Sequence, residues 1–225
     1  MAAESQSIRS HNLRVIDSNA RRSVRGRGSH MAKRLLDIGG CLVVLPLALP
    51  AMLLCAIAIW IEDPGAVVFR QQRTGKFGRR FTMYKFRTMK KNAEALKQEY
   101  AHLNQLTWPD FKIADDPRVT CVGKLLRKTS LDELPQIFNV LWGDMSLVGP
   151  RPTSFDVNTY SLHHTERLEV VPGITGLWQI KGRSDLDFDE RLKLDLEYIE
   201  NQSLWLDLGI LIRTIGAVLR PRGAY

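Results

Sequence analysis

Residues 38–61, "IGGCLVVLPLALPAMLLCAIAIWI", run for 24 positions without a charge. No other feature limits the possible folds so strongly, because about 20 apolar residues suffice to cross the ~30 Å hydrocarbon layer of a bilayer. The run is too long, and starts too far along the chain, for a secretory signal peptide. A plain transmembrane helix is the simplest reading, and two features oppose it. Arg21, Arg22, Arg25, Arg27, Lys33 and Arg34 precede the run. Arg70, Arg73, Lys76, Arg79, Arg80, Lys85 and Arg87 follow it, with no acid between Ala66 and Ala93. Positive charge marks the cytoplasmic side, so both flanks claim one face and a simple crossing satisfies only one of them. Pro46 and Pro50 lie inside the run. Each lacks a backbone donor and clashes with the preceding turn, which predicts a sharp break in the helix there. A re-entrant helix hairpin with both ends in the cytoplasm satisfies charge and proline together.

This divides the chain into 1–31, 32–62 and 63–225. The first stretch contains "NARRSVRGRGSH", which has almost nothing to bury, and reads as a disordered basic extension; "GSHM" at 28–31 resembles an expression-tag scar. The third is large enough for one core. Its pattern predicts an α/β fold, mostly helical with short strands. "AVVFRQQ" and "RRFTMYKFRTM" read as strands around the turn "TGKFG". Helices are expected over 90–104, after "KTS" at 128–130, and over 187–201. The last is amphipathic, with Phe188, Leu192, Leu196 and Ile199 on one stripe. "SLWLDLGILIRTIGAVLR" is apolar enough for a core helix or for one lying in a lipid interface. The net charge of +8 favours anionic partners: nucleic acid, anionic lipid or phosphorylated ligands. Cys41, Cys55 and Cys121 form no CxxC pair, which argues against a disulfide framework or a structural zinc site. The histidines, including His163 and His164, have no metal-ligand partner in view.

Chemistry concentrates in "KLLRKTSLDELPQIFNVLWGDMSLVGPRP", residues 124–152. Asp132 and Glu133 are adjacent carboxylates, preceded by Arg118, Lys124, Arg127 and Lys128. Ser130-x-x-Glu133 fits a capping box, and acids favour a first helical turn. The alternative is catalytic. A carboxylate can attack phosphorus and form an acyl phosphate, splitting one difficult step into two. Such a step needs magnesium or guanidinium groups to spread the charge of substrate phosphates. Arg151, held between Pro150 and Pro152, offers a bidentate fork for phosphate, or a structural ion pair.

These segments together resemble a known family. "KRLLD" (33–37), the proline-containing apolar run, "FRQQRTGKFGRRFTMYKFRTM" (69–89), "DDPRVTCVGKLLRKTSLDELPQIFNVLWGDMSLVGPRP" (115–152), "PGITGLWQIKGRS" (172–184) and "GAY" (223–225) are similar, in order, to the monotopic phosphoglycosyl transferases. These are the bacterial sugar transferases that begin polysaccharide assembly on a polyprenyl carrier. The match covers roughly residues 32–225 and lacks the extra membrane region of longer members, as a minimal catalytic form would.

The resemblance implies a cytosolic catalytic domain over 63–225, with amphipathic interfacial helices, at the cytoplasmic face of the bacterial inner membrane. Asp132 matches the family's nucleophile and Glu133 its partner, which would orient Asp132 or take a proton. Magnesium would be held on Asp132. Arg151 is implied to lie near the phosphates. Lys85, Arg87, Arg118, Arg127 and Arg183 are further candidates for phosphate contact, each with a structural ion pair as the alternative. Gly173 and Gly176 are expected to set a turn. The implied reaction moves a sugar 1-phosphate, with hexose favoured, from a UDP-sugar to polyprenyl (undecaprenyl) phosphate through an aspartyl phosphosugar. The partners are then the donor, the acceptor and membrane lipid, and not nucleic acid. A homodimer is compatible with the sequence, which fixes no oligomeric state. Two rival classes fit parts of the pattern: a membrane-tethered basic binding protein, and a magnesium phosphohydrolase that passes the phosphosugar to water.

Overall fold

A computed structural model of the chain describes residues 27–97, 99–100, 102, 104, 113, 115–154, 162–181, 186 and 188–219. Residues 1–26 of the basic extension, the terminal "GAY" and Arg183 fall outside these residues; residues 27–31, expected to be disordered with the rest of the extension, are instead the first turn of a helix. The chain forms two units, Met1–Leu36 and Asp37–Tyr225. Of the first, the described part is the opening of a long helix, α1 (Arg27–Glu62), which continues into the second. The rest of the second unit is mixed helix and strand, as the sequence predicts.

Helix α1 contains both Pro46 and Pro50 and is hydrogen-bonded as one helix across them, so the helical run is not divided in two at the prolines. Its stretch from His30 to Glu62 is long and apolar enough to cross a membrane. Within the second unit, Cys41, Ala48, Cys55 and Ile59 are its buried side, a stripe close to heptad spacing. They pack on two cores. One contains Phe81, Met83, Ile137, Val140 and Met145. The other contains Phe86 and Leu126. The opposite side leaves Leu42, Val43, Leu47, Leu53, Leu54, Trp60 and Ile61 exposed, Leu47 by 80%. Both ends of the apolar run are tied to the same domain. Asp37 accepts hydrogen bonds from Ser146 Oγ (2.9 Å) and Leu147 N–H (3.0 Å). Glu62 accepts from Cys121 N–H (2.7 Å) and Val122 N–H (2.9 Å), satisfying donors at the start of a later helix.

After α1 come β1 (Val68–Thr74) and β2 (Arg80–Phe86), an antiparallel pair with Phe69 opposite Lys85 and Arg73 opposite Phe81. This is the hairpin expected around "TGKFG". The helix expected over 90–104 is replaced, among the described residues, by turns and a short 3-10 segment, Ala95–Lys97. Its start is held extended by long-range pairing. Met89 bridges Val119, and Lys90 N–H donates to Arg118 O at 2.9 Å.

Helix α2 (Cys121–Thr129) is capped by Thr120, whose Oγ1 accepts from Gly123 N–H. A Cβ on Gly123 would lie 2.1 Å from Thr88 O, so only glycine lets α2 approach that backbone. A 3-10 turn, Leu131–Glu133, leads to α3 (Gln136–Trp142). Strand β3 (Ser146–Val148) then pairs in parallel with β4 (Gly173–Thr175). Gly173 thus opens a strand rather than a turn, and a Cβ there would lie 2.1 Å from Gly149 N.

The chain ends in α4 (Leu177–Lys181), α5 (Phe188–Asn201) and α6 (Leu204–Leu219). Helix α5 occupies the predicted span, but its buried residues are Leu192, Asp195 and Tyr198. Leu196 and Ile199 are only half-buried. The face shifts because both polar groups have partners inside: Arg167 for Asp195, and Val148 O and Asp207 for Tyr198. Helix α6 buries Asp207 and Ile210 and leaves Trp205, Leu208, Ile212 and Ile215 exposed on one stripe, Trp205 by 83%. The core expectation holds for one face of this segment, and the other is apolar and exposed.

Candidate active site

The acid pair owes its position to a turn and an amide. Ser130 ends α2 in the left-handed conformation, φ 58° and ψ 16°, which non-glycine residues rarely adopt. The chain therefore reverses just before Asp132. Ser130 makes no side-chain cap for the turn that follows, and Glu133 directs its carboxylate elsewhere, so the capping-box reading does not hold. Asn139, fully buried in α3, donates from Nδ2 to Thr82 O (2.8 Å) and accepts from Tyr84 N–H at Oδ1 (3.0 Å). It pairs with the free edge of β2 as another strand would. This docks the segment carrying Asp132 and Glu133 against Lys85.

Asp132, Glu133, Lys85, Arg87, Arg127 and Arg151 all line one cleft of about 560 Å³. Sequence reasoning missed Phe69, Gln71, Arg73, Thr88, Lys91, Glu94 and Ser130 on its walls. Alternation along β1 places 69, 71 and 73 on one face, but no sequence signal says that this face meets the acids.

Glu133 accepts from Lys85 Nζ (3.0 Å) and from Arg151 Nη1 (3.1 Å), with Arg151 Nη2 as a further donor. Burial alone would raise its pKa. The charges of Arg151 and Lys85, and their hydrogen bonds, outweigh burial and hold this carboxyl well below the usual range. Such a carboxylate is a weak base. Asp132 stands in contrast, with no hydrogen bond or ion pair to any described residue. Burial, with the Glu133 charge adding to it, pushes Asp132 above the ordinary aspartate value, against the pull of Lys85, Arg151 and Arg127. Burial lowers Lys85, opposed by the Glu133 charge, and also lowers Arg127. The Glu133 charge raises Arg151, which stays a cation.

The other candidates separate clearly. Arg127 Nε donates to Thr88 Oγ1 at 3.0 Å, which aims it along the cleft wall. Arg87 lines the cleft while paired with Asp63 at 3.5 Å. Arg118 is not on the cleft wall. It is 4% exposed, its Nε and Nη2 are on Asp116 (2.9 and 2.6 Å), and its Nη1 is on Ala93 O. The expectation of a phosphate contact at Arg118 gives way to its alternative, a structural ion pair, because its donors are engaged inside. No group of three or more His, Cys, Asp or Glu side chains converges among the described residues, so they supply no all-protein metal cage. At the acid pair, the cleft thus combines one carboxylate without a partner among the described residues, one neutralised carboxylate, and the cations Lys85, Arg127 and Arg151. That suits a nucleophile facing a phosphate-bearing substrate.

The chain matches the family described as bacterial sugar transferase over residues 28–221. It is 47% identical over 205 residues to a protein named galactosyl transferase CpsE from Streptococcus agalactiae, covering 87% of this chain and 44% of that protein. It is 44% identical over 221 residues to the undecaprenyl-phosphate galactose phosphotransferase of Salmonella typhimurium, covering 95% of this chain and 44% of that protein. Against the exopolysaccharide production protein ExoY of Rhizobium meliloti it is 41% identical over 200 residues, covering 87% and 88%. The chain therefore spans less than half the length of the first two relatives and most of the third.

Proposed function

We propose, from the premise that this chain belongs to the bacterial sugar transferase family, that it transfers a sugar 1-phosphate from a UDP-sugar to polyprenyl phosphate, with Asp132 as the nucleophile. The observation that carries this reading is the asymmetry of the acid pair. Glu133 is neutralised by Lys85 and Arg151, and Asp132 faces the cleft with no such partner. A hexose is the favoured sugar, since galactose appears in the names of two relatives.

In the first step a carboxylate oxygen of Asp132 attacks the phosphorus that bears the sugar. The phosphoanhydride bond breaks, UMP leaves with the bonding electrons, and an aspartyl phosphosugar remains. In the second, a phosphate oxygen of the lipid acceptor attacks the same phosphorus. The acyl phosphate bond breaks, Asp132 is a carboxylate again, and polyprenyl diphosphosugar is the product. Glu133 orients Arg151 and Lys85 rather than moving a proton. Arg127 and Arg151 offset charge on the phosphoryl oxygens. Magnesium fits this donor set, because it prefers one or two carboxylates plus substrate phosphate oxygens to a cage made by protein alone; Asp132 would hold it. When bound, it would supply Lewis-acid stabilisation of phosphate charge.

The enzyme acts at the cytoplasmic face of the membrane with α1 embedded from that side. Both ends of its apolar run bond to the one polar domain, at Asp37 and Glu62, which supports placing both ends on the same side of the bilayer. The exposed stripe of α6 would lie in the same interface. Entry and return within one leaflet is the form of α1 that fits both ties.

The test is UMP release from a panel of UDP-sugars, N-acetylated ones included, in detergent with magnesium, with and without undecaprenyl phosphate. Turnover of one hexose donor only when acceptor is present, and none in Asp132→Asn, is expected. Release of free sugar phosphate without acceptor would favour the phosphohydrolase. Salt-sensitive nucleic-acid binding with no turnover of any donor would favour the basic binding protein.

A further inference from the structure

The segment Pro150–Arg151–Pro152 presents the guanidinium to the cleft, yet its two prolines have no N–H. The carbonyls are therefore the main backbone handles by which it can be held, and four in succession are taken. Pro150 O accepts from Gly173 N–H at 2.9 Å and Thr153 O from Thr74 N–H at 3.0 Å. Pro152 O accepts a longer bond from Arg73 Nη1 at 3.4 Å. Arg151 O itself accepts from a side chain, Arg167 Nη2, at 3.0 Å. The same nitrogen donates to Asp195 Oδ2 at 2.6 Å. Arg167 is 6% exposed and Asp195 1%. The guanidinium of Arg167 also lies 5.9 Å from the Phe188 ring centroid. Asp195 and Phe188 belong to α5, which contributes nothing to the cleft wall.

We infer that Arg167 and Asp195 are a positioning pair: α5, through Asp195, orients Arg167, and Arg167 fixes the backbone of Arg151 so that its guanidinium meets the donor's phosphates. Neither residue touches substrate. The inference rests on the proposed reaction only for the identity of the ligand. The bond to Arg151 O does a job that the ion pair alone would not need. An apolar pair of similar size would fill the same space without a desolvated charge and would leave Arg151 O unheld.

The experiment compares Arg167→Gln, the apolar pair Arg167→Met with Asp195→Leu, Arg151→Gln, and each brace variant combined with Arg151→Gln. Turnover, KM for the donor and the denaturation midpoint are measured on the full chain in detergent. The apolar pair is expected to keep the wild-type midpoint or exceed it while turnover falls about 10²-fold, the usual effect of a misplaced catalytic group. In the Arg151→Gln background the same replacement should change turnover less than about threefold, because the two act through one group. Wild-type turnover in the stable apolar-pair variant would overturn the inference. So would losses that multiply with Arg151→Gln. A wild-type protein that turns over no donor would defeat the proposed reaction, and the pair would then be read from UDP affinity by calorimetry. Weakening by the apolar pair that disappears in the Arg151→Gln background would support the inference, and unchanged affinity would overturn it.

Discussion

The cleft and the Arg118–Asp116 pair use the same residue types, lie close in sequence, and come out opposite. In the pair, Arg118 places Nε and Nη2 on both Asp116 oxygens. That hydrogen bond holds Asp116 below the usual carboxylate range, and Asp116 in turn raises Arg118. In the cleft, Glu133 absorbs Lys85 and Arg151, and Asp132 remains with a pKa pushed up by burial. Matched charge gives a rigid strut, whereas the carboxylate left unmatched among the described residues, Asp132, is the one proposed to react. Which of the two a given Asp–Arg set becomes is decided by how many donors the fold brings to each oxygen.

The largest expected effect comes from removing the unmatched group. Asp132→Asn should lower turnover by about 10⁴-fold or more, the scale of losing a nucleophile, and UMP release measures it. Its stability should move the other way. The folded-state pKa of Asp132 is raised, so the folded state disfavours its ionised form. That penalty is absent at low pH and enters as pH rises through the raised pKa. Calorimetry at neutral pH should find the asparagine variant at least as stable as the parent.

Next in size is Arg151→Gln, expected to cost about 10²–10³-fold in turnover, as loss of one charge-stabilising donor does. The strut should behave in reverse. Arg118→Met leaves a buried carboxylate unpaired, and denaturant titration should show a loss of about 3 kcal/mol. Turnover per folded molecule should stay within about threefold. If Arg118→Met instead lowered turnover without lowering stability, the contrast between strut and cleft would break. The smallest effect is on pH dependence. As the proposed nucleophile, Asp132 must be ionised, so turnover is expected to be lost as pH falls through a pKa above that of an ordinary aspartate. The Lys85 charge pulls that pKa down, so Lys85→Met should move the acid limb of the pH–rate profile upward.

Local pattern made part of this readable in the sequence. The apolar run, the β1–β2 hairpin, α5 and α6 follow from periodicity and turn residues, and Asp132, Glu133 and Arg151 stood out within one 29-residue stretch. What stayed hidden depends on contacts between distant segments. The docking of α3 on β2 through Asn139, the approach of α2 allowed by Gly123, and the pairing of Met89 and Lys90 with 118–119 where a helix was expected to begin have no local signal. The same is true of the different surroundings of two adjacent acids. "LDEL" gives Asp132 and Glu133 equal standing, and only the arrival of Lys85 and Arg151 at Glu133 sets the two apart. Asp195 and Tyr198 were hidden because polar residues read as surface unless their partners are known.

Asp132 is the proposed carrier of the phosphosugar. The most direct measurement is mass spectrometry of the purified protein, proteolysed after incubation with UDP-hexose and magnesium and no lipid acceptor. A hexose phosphate adduct is expected on the peptide containing Asp132, absent from Asp132→Asn and discharged by undecaprenyl phosphate. An adduct on another residue would contradict it. So would acceptor-dependent turnover by the wild type with no adduct at any time point down to a single turnover.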